Sequence, residues 1–234
     1  LTGSLEESLI RSDIALIARM GGAEDSRAAT ILMIEDSFIQ AKDFMKTDSP
    51  QEHIKPNKLF FSKRDLMAIT RVLKKEIPLV VNANRASDIL ALINLSKTQD
   101  INLVISGAKE GWRVAERLKE ANIPVIIQPI DNLPSSFDEI GASIENASRL
   151  HEAGVKILIS SHESHNAYLS RQGAGIAVSY GLPWNVAIDA LSKNIAETFA
   201  LDYLGSIEVG KSADFIIWDQ DPLEVSAFAD RIFI

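Results

Sequence analysis

The sequence predicts an α/β chain made of repeated strand–helix units. Four short apolar runs, rich in β-branched residues, carry that prediction: Ile77–Val81, Ile101–Ile105, Ile123–Ile127 and Val155–Ile159. Each is apolar almost throughout, the pattern of a strand covered on both faces. Helical periodicities lie between them, and the first three runs start about 22 to 24 residues apart, with roughly 30 before the last. That is the beat of right-handed βα repeats.

Ser26–Lys46 reads as a long helix, and Thr47–Asn57, with Pro50 and Pro56, as a loop. Ser62–Lys75 reads as a second helix, capped by Ser62 with Asp65 near its positive end. After the first strand, Ala86–Ser96 places Ile89, Leu90, Ile93 and Leu95 at helical spacing. After the second, Gly111–Ala121 does the same with Trp112, Val114, Ala115 and Leu118. Arg171–Tyr180 and Trp184–Leu201 read as helices separated by Gly181-Leu182-Pro183. Gly173 and Gly175 are spaced too closely for a phosphate loop and read as helix packing. Trp112, Trp184 and Trp218 stand in apolar contexts and are expected in the core.

Four parallel strands do not close a barrel of eight, so two architectures stand: the C-terminal half of a (β/α)8 barrel, or an open doubly wound sheet. A half barrel leaves Leu79–Val81 and Val155–Ile159 as bare sheet edges, which calls for further chain of the same protein or a second protomer to cover them. The chain begins at Leu1 without a methionine and reads as a processed or truncated product.

Composition narrows the function. A net charge of −8 argues against nucleic-acid binding, which needs a basic face. No apolar run approaches the ~20 residues that cross a bilayer, and no basic-then-apolar leader is visible; a soluble protein of cytoplasm or periplasm is expected, acting on a small molecule. With no cysteine in 234 residues, disulfides, thiolate metal sites and a cysteine nucleophile are excluded together. Any metal here would take His, Asp, Glu or a modified Lys.

In either architecture the working residues follow the strands. Asn82, Asn84 and Arg85 follow the first: Arg85 either grips a ligand carboxylate or pairs with Asp88 at the helix start. Ser106 ends the second. The loop Gln128–Asp138 follows the third, with Asp131 and Asn132 as its candidate ligand-reading groups; the alternative is a rim loop packed by Leu133 and Phe137. His162-Glu163-Ser164-His165 follows the fourth. Its imidazoles either serve as acid and base or, with Glu163, ligate a metal, and the plain alternative is hydrogen bonding to loop backbone.

The run Gly205–Glu224, G-S-I-E-V-G-K-S-A-D-F-I-I-W-D-Q-D-P-L-E, is the most specific feature. Gly205 and Gly210 mark turns, Phe215–Trp218 forms a short strand, and Asp221-Pro222 ends it. This run resembles the C-terminal signature of the amidohydrolase superfamily, nearest to its imidazolonepropionase-like branch. The resemblance implies a TIM-type barrel over residues 1–204, of which this chain holds the C-terminal part, and the last strands of a small β-sandwich domain over 205–234. It also implies hydrolysis of C–N bonds in amides or cyclic amides by a metal-activated water, zinc being the expected metal. V-N-A-N-R-A-S-D-I is similar to the family's fifth-strand motif, with Asn82 and Asn84 where histidines stand. V-I-S-G-A-K-E is similar to the sixth-strand motif, with Ser106 in place of its histidine, and His162 falls at or beside the eighth-strand aspartate. The remaining ligands, on the first and fourth strands, are expected outside this chain. Two functions therefore stand: a divergent hydrolase lacking the usual metal site, or a catalytically silent relative that binds a small polar ligand or has a structural role.

Overall fold

Leu16–Arg19 (β1) opens the fold, followed by helices Arg27–Lys46 (α1) and Lys63–Leu73 (α2). Then come Leu79–Ala83 (β2), Ala86–Gln99 (α3), Leu103–Gly107 (β3), and a 3-10 turn at Gly111–Val114 that runs into Ala115–Glu120 (α4). Val125–Ile127 (β4), Asn146–Glu152 (α5) and Ile157–Ile159 (β5) follow, with Leu169–Ser179 (α6), Trp184–Leu191 (α7) and Lys193–Thr198 (α8) behind them. Phe215–Trp218 (β6) and Ala229–Phe233 (β7) close the chain. The computed structural model describes residues 11–21, 26–46, 61–161 and 164–234, so the expected loop Thr47–Asn57 lies outside it.

β1 to β5 form one parallel sheet in the order β1-β2-β3-β4-β5. A doubly wound sheet reverses its order at a switch point. Five consecutive neighbours without reversal are instead a sector of a barrel, and β6 and β7 form a separate small antiparallel sheet. The chain thus holds part of a TIM-type barrel. The sequence reading missed one strand: β1 pairs with β2 from Leu16↔Leu79 to Arg19↔Asn82, so the expected bare edge at Leu79–Val81 is covered. The outer edge is β1, whose accessibility alternates because only one of its faces meets helices.

The four expected strands begin about two residues later than their apolar runs, and the first two of them also end beyond their runs. Pro78 and Pro124 lack the N–H a ladder needs, whereas Asn82 and Ser106 pair through their backbones despite polar side chains. At the start of α2 the expected cap is a full capping box. Ser62 Oγ accepts the Asp65 N–H at 3.3 Å and the Asp65 carboxylate accepts the Ser62 N–H at 2.9 Å, an arrangement worth about 1 kcal/mol. Trp184–Leu201 is two helices broken at Ser192.

Leu79, Val81, Leu103, Ile105, Val125, Ile127, Ile157 and Ile159 form a single core with Phe38, Leu66, Ile89, Leu92, Leu118 and Leu150 of the helices. Each such side chain contributes about 1.5–3 kcal/mol on burial. Alternate strand residues, from Ile17 and Val80 through Ile126, line a cavity on the opposite, concave face. Arg11 donates to the carbonyls of Ala200 (2.9 Å) and Phe199 (3.3 Å), joining the lead-in of β1 to the segment after α8. The flanks of both edge strands therefore meet beneath that face.

No tryptophan is fully buried, contrary to expectation. Trp112 donates its indole N–H to the Gly141 carbonyl at 2.9 Å, and the guanidinium groups of Arg113 and Arg149 stack on its ring. Trp184 is exposed and donates to the Asp221 carboxylate at 3.0 Å, and Trp218 lies under Arg171. Arg171 also donates to the carbonyls of Pro222 and Glu224, both at 2.6 Å. These polar ties dock the terminal segment on α6 and α7.

Gly173 and Gly175 pack helix α6, as read from their spacing. At Gly173 a side chain would meet Pro129; at Gly175 a Cβ would stand 2.5 Å from the Leu223 carbonyl oxygen. Gly175→Ala is expected to destabilise by about 1–3 kcal/mol, lowering Tm by roughly 2–4 °C per kcal/mol. Thermal melts with limited proteolysis after Leu223 test this, and an unchanged Tm with an equally protected tail contradicts it.

Candidate functional site

Parallel pairing sets the concave side chains in rows. Ile17 aligns with Val80, and the next row upward aligns Arg19, Asn82, Ser106 and Ile126. Gln128 and Ser160 follow β4 and β5 one residue past their ends, and the Ser160 N–H still bonds the Ile127 carbonyl at 3.1 Å. Together with Asn84, Lys109, Glu139 and Phe199, these residues line a cavity of about 790 Å3. It is apolar at its floor and polar at the strand ends.

The charged groups around this rim are mostly committed to one another. Lys109 Nζ meets the Glu139 carboxylate at 2.9 Å, with both side chains about nine-tenths buried. Glu139 also accepts the Asn84 Nδ2–H at 3.3 Å, the Ser135 N–H at 3.2 Å and the Ser135 hydroxyl. Burial alone would raise this carboxyl, but the hydrogen bonds from Ser135 and Lys109 outweigh it and hold it below the ordinary glutamate range. Arg27 bridges Asp88, at 3.0 Å, and Asp138. Burial pushes the Asp88 carboxyl above its ordinary value even though Arg27 opposes the shift. Glu110 accepts the Ala86 N–H at 3.0 Å and the Gly141 N–H at 3.1 Å, tying the start of α3 to the loop after β4.

Several sequence-derived candidates take different roles. Asn82, Asn84 and Ser106 line the same cavity. Asn84 Oδ1 is buried without a hydrogen-bond partner and packs against Gly107, where a Cβ would collide with it. Arg85 bonds Asp138 at 2.5 Å, so it neither pairs with Asp88 nor presents a free fork to a ligand. Asn132 is buried and donates to the Ser143 carbonyl at 2.5 Å, a loop-holding role. Asp131 lines an adjoining cleft with Gln128, Ser160 and Asn166. Leu133 and Phe137 are 59% and 86% exposed, so polar ties and not apolar packing hold this loop. His165 is exposed, and His162 and Glu163 lie outside the described residues. Among the described residues no three His, Cys, Asp or Glu side chains are grouped to hold a metal ion.

Arg19, Lys109 and Glu139 were not singled out from the sequence. Lys109 stands within V-I-S-G-A-K-E, and Glu139 comes one residue after the loop read as Gln128–Asp138. The apolar run Ile14–Ala18 would have marked β1, and with it Arg19 at the strand end.

Comparison with known proteins decides the family. The model of the amidohydrolase family matches residues 91–233. The chain belongs to the amidohydrolase family. It is 24% identical over 229 residues to amidohydrolase tasK of Hapsidospora irregularis, covering 93% of this chain and 23% of that protein. Its fold matches an amidohydrolase crystal structure from Thermotoga maritima with a TM-score of 0.85 at 25% identity, over 97% of this chain and 63% of that one. A metal-dependent hydrolase of Pyrococcus horikoshii, 15% identical with a TM-score of 0.56 over 89% of this chain and 45% of its own, shares the fold. This chain therefore spans less than two thirds of the amidohydrolase relatives it matches.

The Glu139 tie has a pH signature. A carboxyl with a lowered folded value adds stability that is complete above the ordinary glutamate pKa, about 4.3, and is lost as pH falls through the folded value. Glu139→Gln also strands a buried lysine, at about 3–5 kcal/mol. The Tm deficit of Glu139→Gln should therefore be largest near neutral pH and shrink below pH ~4. A deficit independent of pH contradicts the ion-pair account.

Proposed function

We propose that this chain carries the substrate-facing C-terminal part of an amidohydrolase-family hydrolase that acts on non-peptide C–N bonds, amide or cyclic amide. Residues 1–204 form its barrel portion, and 205–234 belong to a small β-domain. The observation that carries this reading is the cavity at the strand ends, where the amides and hydroxyls of Asn82, Asn84, Ser106, Gln128 and Ser160 converge above an apolar floor. A pocket of this kind suits a small ligand with a few polar atoms to be read. In the reaction, water oxygen bonds to the carbonyl carbon and the C–N bond breaks. One proton passes to the leaving nitrogen, and the acid product releases the other to solvent.

The donor set does not fit the metal that the family implies. A divalent transition metal takes imidazole, carboxylate or thiolate ligands. At this rim the described groups are neutral amides and hydroxyls, with the Arg19 guanidinium in their row. Glu139 is engaged by Lys109 and Ser135. The usual metal site is therefore proposed to be dismantled here, and no step is routed through a metal. Proton transfer falls to the His162–His165 segment after β5, imidazole being the side chain most often used for it. The lowered Glu139 carboxyl, acceptor of four intramolecular donors, is ill suited to be the base. Further chain of the same protein, or a second protomer, is proposed to cover the outer edges of β1 and β5.

That commitment of Glu139 also favours a second reading, a silent relative that binds its ligand without cleaving it. Amine release by the intact protein from a panel of linear and cyclic amides separates the two. Hydrolysis is expected, with His162→Ala lowering it by about 10²-fold or more at unchanged Tm. Absence of turnover across the panel would favour the silent reading. Stoichiometric zinc, iron or manganese in the purified intact protein would overturn the dismantled-site part of the proposal.

A further inference from the structure

Among the described residues, Arg19 is the one charged group of the strand-end rim that its neighbours leave uncompensated. Of the described cations nearby, Arg27 is paired with Asp88 and Asp138, Arg85 with Asp138, and Lys109 with Glu139. The other acid lining the cavity, Asp13, faces Arg71 at 3.7 Å. Arg19 has no ion pair or hydrogen bond from its side chain among the described residues, yet it lines the cavity at the end of β1. Asn82 and Ser106, beside it in the same row, likewise have polar side-chain atoms with no partner among the described residues, as does Gln128 across the cavity. In a chain of net charge −8, an unpaired cation facing a cavity with three uncommitted polar groups is not explained as part of a basic surface.

We propose that this cavity is a carboxylate-binding site: Arg19 holds the single negative group of the ligand, and Asn82, Ser106 and Gln128 read an adjacent amide. Ile17, Val80 and Phe199 at the floor, with Ile126 at the far end of the Arg19 row, take an apolar acyl group. The substrate class is an N-acylated amino acid or a similar amide bearing one carboxylate. The guanidinium presents a planar fork of donors that matches a carboxylate two-to-two. Its charge also repels a divalent cation from this row. The inference names the substrate class of the hydrolase proposed above and rests on that reading of the cavity.

The test uses the intact protein and two probes of one shape, N-benzoylglycine and its neutral amide, N-benzoylglycinamide, with affinity read by ligand-observed NMR or calorimetry. The carboxylate is expected to bind about tenfold or more tightly than the amide. Arg19→Gln should abolish the preference by weakening only the carboxylate, and Arg19→Lys should retain part of it. Because Arg19 is exposed on an edge strand, both variants are expected to keep the wild-type Tm. Equal affinity for the two probes, a preference that survives Arg19→Gln, or no binding of either at on the order of 10 mM would each overturn the proposal. Binding does not depend on turnover, so the two readings fail separately. A carboxylate preference without amide hydrolysis sinks the hydrolase reading alone, whereas hydrolysis without the preference sinks this one alone.

Discussion

Parallel pairing of five strands in sequence order is the constraint on which the rest of the molecule depends. It points every strand in one direction, so each C-terminal end arrives at a common rim. Neighbouring strands run in register from Leu16 to Ile159, which places alternate side chains either among the helices or on the concave face. Since the core takes Val81, Ile105, Ile127 and Ile159, the polar residues that close the apolar runs have only the concave rim to occupy. The cavity is a consequence of that alternation.

The loops around the rim are held by ion pairs and hydrogen bonds far more than by apolar contact. The loop after β4 exposes Leu133, Phe137 and Ile140, and reaches the strand ends through Asn132, Asp138 and Glu139. Glu110 and Asn146 do similar work beneath it. Asn146 is fully buried, donating to the Ala108 carbonyl and accepting the Trp112 N–H, both at 3.0 Å. Buried groups so fully engaged are costly to disturb, and their engagement makes the uncommitted groups of the same rim stand out. Asn82, Ser106, Gln128 and Arg19 face open volume, where a ligand can satisfy them.

Membership of the amidohydrolase family and the chemistry of this rim pull in different directions. The family match spans residues 91–233, and the barrel sector superimposes on a Thermotoga maritima amidohydrolase along nearly the whole chain. The imidazolonepropionase-like branch has no such specific support. A barrel tolerates change at its rim because its stability sits in the helix-facing core. Substituting a ligand-reading side chain therefore need not disturb the fold.

Much of the architecture was legible in the order of residues. Apolar runs with β-branched content announced four of the strands, Ser62 and Asp65 announced a capped helix, and the stretch Gly205–Glu224 announced the family. These are local signals, set by backbone preference and by periodicity within a dozen residues. The roles of Arg85, Asp138, Lys109 and Glu139 were not legible. Arg85 has an acid three residues away and bonds another at position 138, while Lys109 meets an acid 30 residues on. Which charges cancel and which remain free depends on distances between loops that only the folded barrel brings together. The sequence by itself determined the repeating strand and helix units and the polar strand ends. The tertiary structure decided their pairing order, the commitment of Arg85, and which described charges lack a described partner, Arg19 among them, because long-range electrostatic partnership has no local signature.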